Sequence, residues 1–185
     1  MNSVRPVFLD RDGVINVDHG YVHRWDDFEF VPGVSKGLRQ LSSAGHPLVV
    51  VTNQSGIGRG YFSETEFEDL TRRMRAHLTS LGISLTAVYH CPHHPEATVE
   101  SYRRDCDCRK PAPGLLFRAA DQLNLDLSRA IMVGDSARDL ESAARAGVPH
   151  RILLGQPKDM LSSALATFSA PTFADATEHI LGLDN

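Results

Sequence analysis

The chain alternates short apolar runs with stretches of helix length, and this alternation constrains its fold more than any other feature. The apolar runs are typical of buried strands, and the stretches between them have an amphipathic pattern. Such an alternation predicts a parallel sheet that is covered by helices on both faces. We therefore expect an α/β fold, a three-layer doubly wound parallel sheet. The predicted strands are residues 7–9, 47–52, 85–90, 130–134 and 151–154.

Helix boundaries are marked by residues that start or stop helices. Pro32 suits a first helical position and Gly45 a stop, while Ser63 and Glu66 have the spacing of a capping box. At the C-terminal end, residues 171–173 are a candidate final strand, and residues 156–170 carry no strong signal. The predicted helices are residues 32–44, 63–81, 113–123, 137–146 and 174–181.

Composition limits the possible functions. The chain has 185 residues, a net charge of −4 and no block rich in lysine and arginine, which argues against a nucleic-acid partner. No window approaches 18 consecutive apolar residues, so we expect no membrane span, and three cysteines make a poor disulfide framework. We expect one domain over residues 1–185, located in the cytoplasm.

Polar residues follow the predicted strands at the points where each strand ends. Asp10 and Asp12 follow the first strand, Thr52 ends the second, and Asp135 follows the fourth. In a doubly wound sheet, ligands bind at the carboxyl ends of the strands. Clustered carboxylates repel one another unless a cation compensates them. Lys110 lies in a loop that opens a predicted helix. This set suits a phosphate group and a divalent metal ion.

Three cysteines and a histidine form a second candidate site. Cys91, His93, Cys106 and Cys108 lie within eighteen residues and offer four ligands of the kind that zinc prefers. His94 could replace His93. Four protein ligands leave no open position for water, so the expected Zn²⁺ is structural and would stabilise the loop of residues 91–108.

These motifs resemble those of the haloacid dehalogenase superfamily of phosphatases, and in particular its histidinol-phosphatase-like branch. The resemblance covers about residues 5–155. It implies a Rossmann-like fold and hydrolysis through a phosphorylated aspartate. The matching segments are Phe8-Leu9-Asp10-Arg11-Asp12-Gly13-Val14, Val51-Thr52-Asn53, Lys110-Pro111 and Gly134-Asp135 with Asp139.

The resemblance also implies a role for each motif residue. Asp10 is the expected nucleophile and Asp12 the general acid and base. Thr52 and Lys110 would bind and stabilise the phosphoryl group. Mg²⁺ would be held by the Asp10 carboxylate, the Asp12 backbone carbonyl and the Asp135 carboxylate, and Asp139 would orient Lys110 or a metal-bound water.

Chain length leaves no room for a separate cap domain, because only about twenty residues separate Asp12 from Pro32. An open site suits a small molecule such as a bisphosphorylated sugar, and an enzyme of this kind is expected to be a monomer. The alternatives are histidinol phosphate as the substrate or a zinc-stabilised binding module without catalysis. The expected substrate contacts, besides Thr52 and Lys110, are Asp18, His19, Gly20, Tyr21, Asn53, Gln54, Ser55, Arg59 and Arg109.

Overall fold

The computed structural model describes residues 4–184, and its centre is a sheet of six parallel strands. The strand order is β3-β2-β1-β4-β5-β6, and every neighbouring pair is parallel. Strand order reverses between β1 and β4, which creates a crevice at their carboxyl ends. The predicted doubly wound α/β fold is therefore confirmed. The strands are β1 (Val7–Leu9), β2 (Leu48–Asn53), β3 (Ala87–Cys91), β4 (Ile131–Gly134), β5 (His150–Leu154) and β6 (Phe168–Ala170).

Seven α-helices connect the strands, and the Ser63 capping box opens the longest of them as predicted. The Ser63 hydroxyl accepts from the Glu66 backbone, and the Glu66 carboxylate accepts from the Ser63 backbone. These bonds satisfy donors that the first helical turn would leave unpaired. The helices are α1 (Val34–Ser43), α2 (Ser55–Gly58), α3 (Glu64–Ser80), α4 (Gly114–Leu123), α5 (Ala137–Arg145), α6 (Met160–Leu165) and α7 (Phe173–Gly182).

Alternate residues of the strands enter two separate cores. Val7 and Leu9 of β1 face the layer that contains α1, α3 and α7. Phe8 faces the layer that contains α4 and α5. Because all three residues are fully buried, β1 lies in the middle of a three-layer structure and places the residues that follow it at the crevice.

The C-terminal part differs from the sequence-based prediction. The predicted strand at residues 171–173 is wrong, because the last strand is β6 and Thr172 caps α7. The Thr172 hydroxyl and the Asp175 carboxylate form a capping box, which sets the start of that helix at Phe173. Within the unassigned residues 156–170, Asp159 caps the short helix α6.

The segments between the first strands are short, as an open site requires. Between β1 and α1 the chain forms a single 3-10 helix at Trp25–Asp27, and α2 and α3 connect β2 with β3. No separate layer covers the crevice within residues 4–184. Among these residues, no helix combines the length and the apolar composition needed to cross a bilayer.

Candidate active site

A cleft of about 400 Å³ lies at the carboxyl ends of β1, β2 and β4. Most of the residues that the sequence singled out line it together, although they come from segments far apart in the chain. The sheet topology brings them together because parallel strands all end at the same edge. The predicted residues that line the cleft are Asp10, Asp12, Asp18, Gly20, Tyr21, Asn53, Gln54, Ser55, Arg59, Arg109, Lys110 and Asp135.

Two predicted site residues do not line this cleft. The His19 ring lies 3.2 Å from the Glu29 carboxylate and lines a separate depression, so the structure does not support its expected substrate contact. Thr52 is buried, and its hydroxyl oxygen accepts a hydrogen bond of 2.9 Å from the Gln54 amide. The Thr52 hydroxyl therefore keeps its own proton for donation to another acceptor.

A buried lysine links two of the carboxylates. The Lys110 ammonium lies 2.9 Å from the Asp10 carboxylate and 2.6 Å from the Asp139 carboxylate, and it donates to the Val51 carbonyl at 2.8 Å. Asp139 also accepts from the Ser136 hydroxyl at 2.6 Å. Its two oxygens are thus engaged, one by the Lys110 ammonium and one by the Ser136 hydroxyl.

Burial dominates the electrostatics of this cluster. Desolvation raises the pKa of Asp10 to about 7, and the Lys110 charge offsets this effect only in part. Burial alone would lower the pKa of Lys110, but the charges of Asp10 and Asp139 outweigh it and raise that pKa. A further cation beside Asp10 would favour its ionised form, which is the form that a nucleophile needs.

Three side chains hold the Asp12 carboxylate. Arg11 donates to its Oδ1 from Nη2 at 2.8 Å, and Asn16 donates to the same oxygen at 3.0 Å. Gln54 donates to Oδ2 at 2.9 Å. Arg11 is itself buried and also donates to the Val22 carbonyl at 2.7 Å. Asp12 is therefore oriented beside Asp10 without depending on solvent.

Asn53 positions the lysine through the backbone. Its side-chain nitrogen donates to the Lys110 carbonyl and its side-chain oxygen accepts from the Lys110 amide, both at 3.0 Å. The two bonds tie the end of β2 to the loop that carries Lys110. Each polar atom of the Asn53 side chain thus makes one of these two bonds.

The acidic residues have the composition of a site for a hard cation. Carboxylate oxygens of Asp10, Asp135 and Asp139 lie within 4.8 Å of one another. Asp139 is already bound at both oxygens, whereas Asp135 is paired with the exposed Lys158 ammonium, and burial raises the pKa of its carboxyl group. Oxygen ligands in such a cluster suit Mg²⁺. The residues present therefore fit the metal that the motifs predict.

The cysteines and His93 form a second compact cluster. The sulfur–sulfur distances are 3.1 Å for Cys91 and Cys108, 3.4 Å for Cys106 and Cys108, and 3.6 Å for Cys91 and Cys106. The His93 Nδ1 lies 3.4 Å from the Cys108 sulfur and 3.7 Å from the Cys91 sulfur. Ligands around a tetrahedral zinc ion are separated by about 3.5–3.8 Å, given Zn–S and Zn–N bonds of about 2.3 and 2.0 Å. The cluster is compatible with a zinc site, and its cysteines are not joined by disulfides.

His94 points away from this cluster. Its Nδ1 accepts from the Glu96 amide at 3.0 Å, and its Nε2 lies 3.0 Å from the Arg59 Nη2. Desolvation and the charges of Arg109 and Arg59 lower the pKa of His94, so the ring favours its neutral form. Of the two histidines, His93 is thus the one placed among the cysteines.

The cleft has a cationic side opposite its acidic residues. Arg59, Arg109 and Arg138 all line it, and the charges of Arg138 and Arg59 contribute, after desolvation, to lowering the pKa of Arg109. Arg109 is also fixed by donation to the His93 carbonyl at 3.3 Å. Among the contacts within residues 4–184, none of these arginines is within 4.0 Å of a carboxylate, so their charges face the cleft.

Sequence reasoning missed several residues of the site. Arg11 stands between two aspartates, and its charge in a buried segment was a signal that could have identified it. Arg138 lies one helical turn from Asp135 and could have been found in the same way. Lys158 had no such signal, because only the fold brings its loop to the cleft.

The site combines a pair of aspartates after the first strand, a third aspartate after β4 and a buried lysine. On a doubly wound parallel sheet, this combination defines the class of hydrolases that use an aspartate nucleophile. Comparison with known families agrees. The family of haloacid dehalogenase-like hydrolases matches residues 5–147, and the chain belongs to this family.

Individual relatives narrow the comparison. The chain is 49% identical over 162 residues to D-glycero-beta-D-manno-heptose-1,7-bisphosphate 7-phosphatase of Salmonella typhi, which covers 88% of this chain and 86% of the relative. It is 44% identical over 183 residues to the enzyme of the same name from Photorhabdus laumondii, covering 98% and 97%. A crystal structure of D,D-heptose 1,7-bisphosphate phosphatase from B. bronchiseptica, complexed with magnesium and phosphate, superposes with a TM-score of 0.84 and 31% identity, covering 97% of this chain and 99% of that one.

Proposed function

We propose that this chain is a magnesium-dependent phosphatase that removes the 7-phosphate of D-glycero-β-D-manno-heptose 1,7-bisphosphate. Such a reaction belongs to the synthesis of nucleotide-activated heptose for lipopolysaccharide. The observation that carries the chemistry is the pairing of a buried Asp10 with Lys110 beside an oriented Asp12. The choice of substrate is based on the similarity to the enzymes from S. typhi and P. laumondii.

The reaction would proceed in two displacements. An Asp10 oxygen attacks phosphorus, the bond from phosphorus to the sugar oxygen breaks, and Asp12 gives its proton to that oxygen. Asp12 then takes a proton from water, which attacks phosphorus and releases inorganic phosphate from Asp10. Gln54 suits this alternation, because its amide can donate to an ionised Asp12 or accept from a protonated one.

The charge that develops on the phosphoryl oxygens would be stabilised by neighbouring donors. The three N–H donors of Lys110 are held by Asp10, Asp139 and the Val51 carbonyl, which fixes its positive charge beside the phosphoryl group. The donor to Asp10 would pass to a phosphoryl oxygen when Asp10 is phosphorylated. The Thr52 hydroxyl, which accepts from Gln54, has its proton free for a phosphoryl oxygen. Donors fixed in advance are more effective than solvent, which must reorient.

Two carboxylates and one backbone group would hold Mg²⁺. These are the carboxylates of Asp10 and Asp135 and the backbone carbonyl of Asp12, which leaves the Asp12 side chain for proton transfer. When bound, the ion supplies positive charge that offsets the repulsion between an anionic nucleophile and an anionic phosphate. Asp139 stays with Lys110 and Ser136.

The second phosphate of the substrate would meet the cationic side of the cleft. Arg109 is anchored to the His93 carbonyl and Arg59 to the His94 ring, so both guanidinium groups are oriented before a ligand binds. A guanidinium is well suited to binding two phosphate oxygens at once. A substrate with phosphates at both ends would thus span the cleft from Asp10 to Arg109.

We propose that Cys91, His93, Cys106 and Cys108 bind a structural zinc ion. Four thiolate and imidazole ligands suit zinc. The hydrogen bond with Cys108 and burial raise the pKa of Cys91, so ionising all of the thiols would require a cation. The role of the ion would be geometric, because the His93 carbonyl fixes Arg109, and Cys108 directly precedes Arg109 in the chain.

We further propose that the enzyme is a monomeric, single-domain protein of the cytoplasm.

The decisive experiment compares substrates. We expect kcat/KM for D-glycero-β-D-manno-heptose 1,7-bisphosphate to exceed that for histidinol phosphate by at least about a hundredfold in the presence of Mg²⁺. Histidinol phosphate as the better substrate would overturn the sugar assignment while keeping the catalytic roles. Release of phosphate from neither compound would favour a binding module.

A further inference from the structure

Lys158 is a second cleft lysine that the proposed chemistry leaves without a role. The chain has three lysines, Lys36, Lys110 and Lys158, and two of them line the cleft. The Lys158 ammonium lies 2.6 Å from the Asp135 Oδ2. Its side chain is 62% exposed, in contrast to 2% for Lys110. The same kind of ion pair is therefore permanent in one case and open to exchange in the other.

The loop that carries Lys158 is fixed on both sides. The Gly155 amide donates to the Ala170 carbonyl at 2.9 Å, which holds the loop to the sheet. On the other side, Asp159 accepts from the Ser162 amide at 2.6 Å and caps α6. Lys158 immediately precedes that cap, so the backbone keeps the lysine at the mouth of the cleft while its side chain extends into solvent.

Asp135 is packed closely on the side of Gly13. Gly13 packs against its carboxylate so closely that a Cβ atom at Gly13 would lie 2.3 Å from the Asp135 Oδ2. Gly13 has a φ of +86°, a backbone conformation that glycine adopts without strain. When the charge balance around Asp135 changes, the exposed ammonium is thus the partner that can leave.

Such a change is expected from the proposed function, because Asp135 is there a ligand of Mg²⁺. A dication at this carboxylate repels an ammonium on the same group, and the weak, solvent-screened pair that an exposed lysine makes is easily exchanged. Asp18 also attracts the Lys158 ammonium, and it lies outside the cluster of Asp10, Asp135 and Asp139. A released ammonium would therefore stay at the cleft rather than turn to bulk solvent.

We propose that Lys158 is a mobile substrate-binding residue, which neutralises Asp135 in the metal-free enzyme and is released by metal binding to contact a phosphate oxygen of the substrate. This inference rests on the proposed function for the identity of the metal ligands. It predicts that the ammonium opposes Mg²⁺ binding and assists phosphate binding. A lysine that merely oriented Asp135 would instead assist Mg²⁺ binding.

The first test is Mg²⁺ binding to the substrate-free, zinc-loaded protein, measured by calorimetry. In Lys158→Met we expect the dissociation constant for Mg²⁺ to fall by about two- to fivefold, the range of an exposed ion pair. Lys158→Arg, which keeps the charge, should remain near the wild type. Lys36→Met is the matched control, because it removes another exposed lysine, one that lies on α1, and it should not change Mg²⁺ binding. An unchanged or weakened Mg²⁺ affinity in Lys158→Met would overturn the proposal.

The second test uses inorganic phosphate as the probe. At saturating Mg²⁺, Lys158→Met should bind phosphate about fivefold more weakly than the wild type, and without Mg²⁺ the two proteins should differ less. Equal phosphate affinity at saturating Mg²⁺ would remove the substrate role. Neither titration needs turnover, so a failure of the heptose assignment would leave these results unchanged and would be seen only in the substrate comparison.

Discussion

The carboxylate cluster at the ends of β1 and β4 and the thiol cluster after β3 differ in how the protein balances their charge. Asp10 and Asp139 share the buried ammonium of Lys110, and Asp12 pairs with the buried Arg11. The sulfurs of the second cluster contact one another and the His93 ring. The first cluster is thus assembled by the sheet and its own cations, whereas the loop of the second would be held by the proposed zinc ion.

This difference implies separate roles for the proposed Mg²⁺ and Zn²⁺ ions. The acids keep their positions because fully buried strands precede them, so Mg²⁺ would complete a site that already exists. The loop of residues 91–108 contains one short 3-10 helix, Glu100–Tyr102, and the binding free energy of zinc would contribute to its folding. The following changes test this comparison.

The largest effect is expected from removal of the nucleophile. Asp10→Asn should reduce kcat by more than about 10³-fold, because the amide cannot form the phosphorylated intermediate. The fold should persist, since the substitution keeps the shape of the side chain. Phosphate release gives the measurement, and zinc content should match the wild type. Turnover near the wild-type rate would refute the assignment of Asp10.

The same variant tests the pKa of Asp10 through the pH dependence of stability. With a pKa of about 7 in the folded protein and about 3.8 when unfolded, the folded state retains a proton between these pH values. The contribution of Asp10 to the free energy of unfolding of the wild type therefore falls as pH rises from about 4 to 7, by at most about 4 kcal/mol. Asn cannot titrate, so the stability of Asp10→Asn relative to the wild type should grow over this range.

Chemical denaturation in Mg²⁺-free buffer at several pH values measures this difference. Saturating Mg²⁺ provides the control, because a cation at Asp10 favours the ionised form and should reduce the dependence. A stability difference that stays constant with pH would show that Asp10 is ionised throughout.

Loss of the buried cation should be the next largest effect. Lys110→Met leaves the Asp10 and Asp139 carboxylates close together without their shared ammonium, and breaking a buried pair costs about 3 kcal/mol. Denaturant titration in Mg²⁺-free buffer measures it. The double variant Lys110→Met with Asp139→Asn should recover part of the loss, and no recovery would argue against charge as the cause.

Removal of a zinc ligand should affect substrate binding more than the chemical step. Cys108→Ala should lower zinc content, loosen the loop that precedes Arg109 and raise KM about tenfold, while kcat changes less. Ser101→Ala, an exposed substitution in the same loop, is the matched control and should retain zinc. Unchanged zinc stoichiometry in Cys108→Ala would show that the ligand set is wrong.

The smallest effect is expected where α2 packs against the loop of residues 91–108. Gly58 ends α2 and packs against the zinc loop, so that a Cβ atom there would lie 2.6 Å from the Pro92 carbonyl oxygen. Gly58→Ala should displace the loop, lower the free energy of unfolding by about 1–3 kcal/mol and raise KM a few-fold. Gly182→Ala, at a helical glycine with no neighbour within 4 Å of the added Cβ, is the matched control. An unchanged KM in Gly58→Ala would separate the loop from substrate binding.

The sequence predicted the sheet and its active edge because strands and catalytic motifs have local signatures. The runs that became β1, β2 and β4 are continuous and apolar, and the acids that follow them are adjacent in the chain. The closing helix was predicted, but β6 and α6 were missed because β6 is a three-residue strand with an exposed centre and α6 is a six-residue helix. The Thr172 capping box was a readable signal for the start of α7.

By itself, the sequence determined the fold class and the residues that make up the acidic and cysteine motifs. It also determined the strand ends at which the acids lie. Tertiary structure alone decided which partner each charge has, because pairs such as Lys158 with Asp135 join segments that no local pattern connects. It also decided between His93 and His94, whose identical side chains point in different directions from one loop. Local periodicity encodes elements, whereas the balance of buried charges depends on distances that only packing sets.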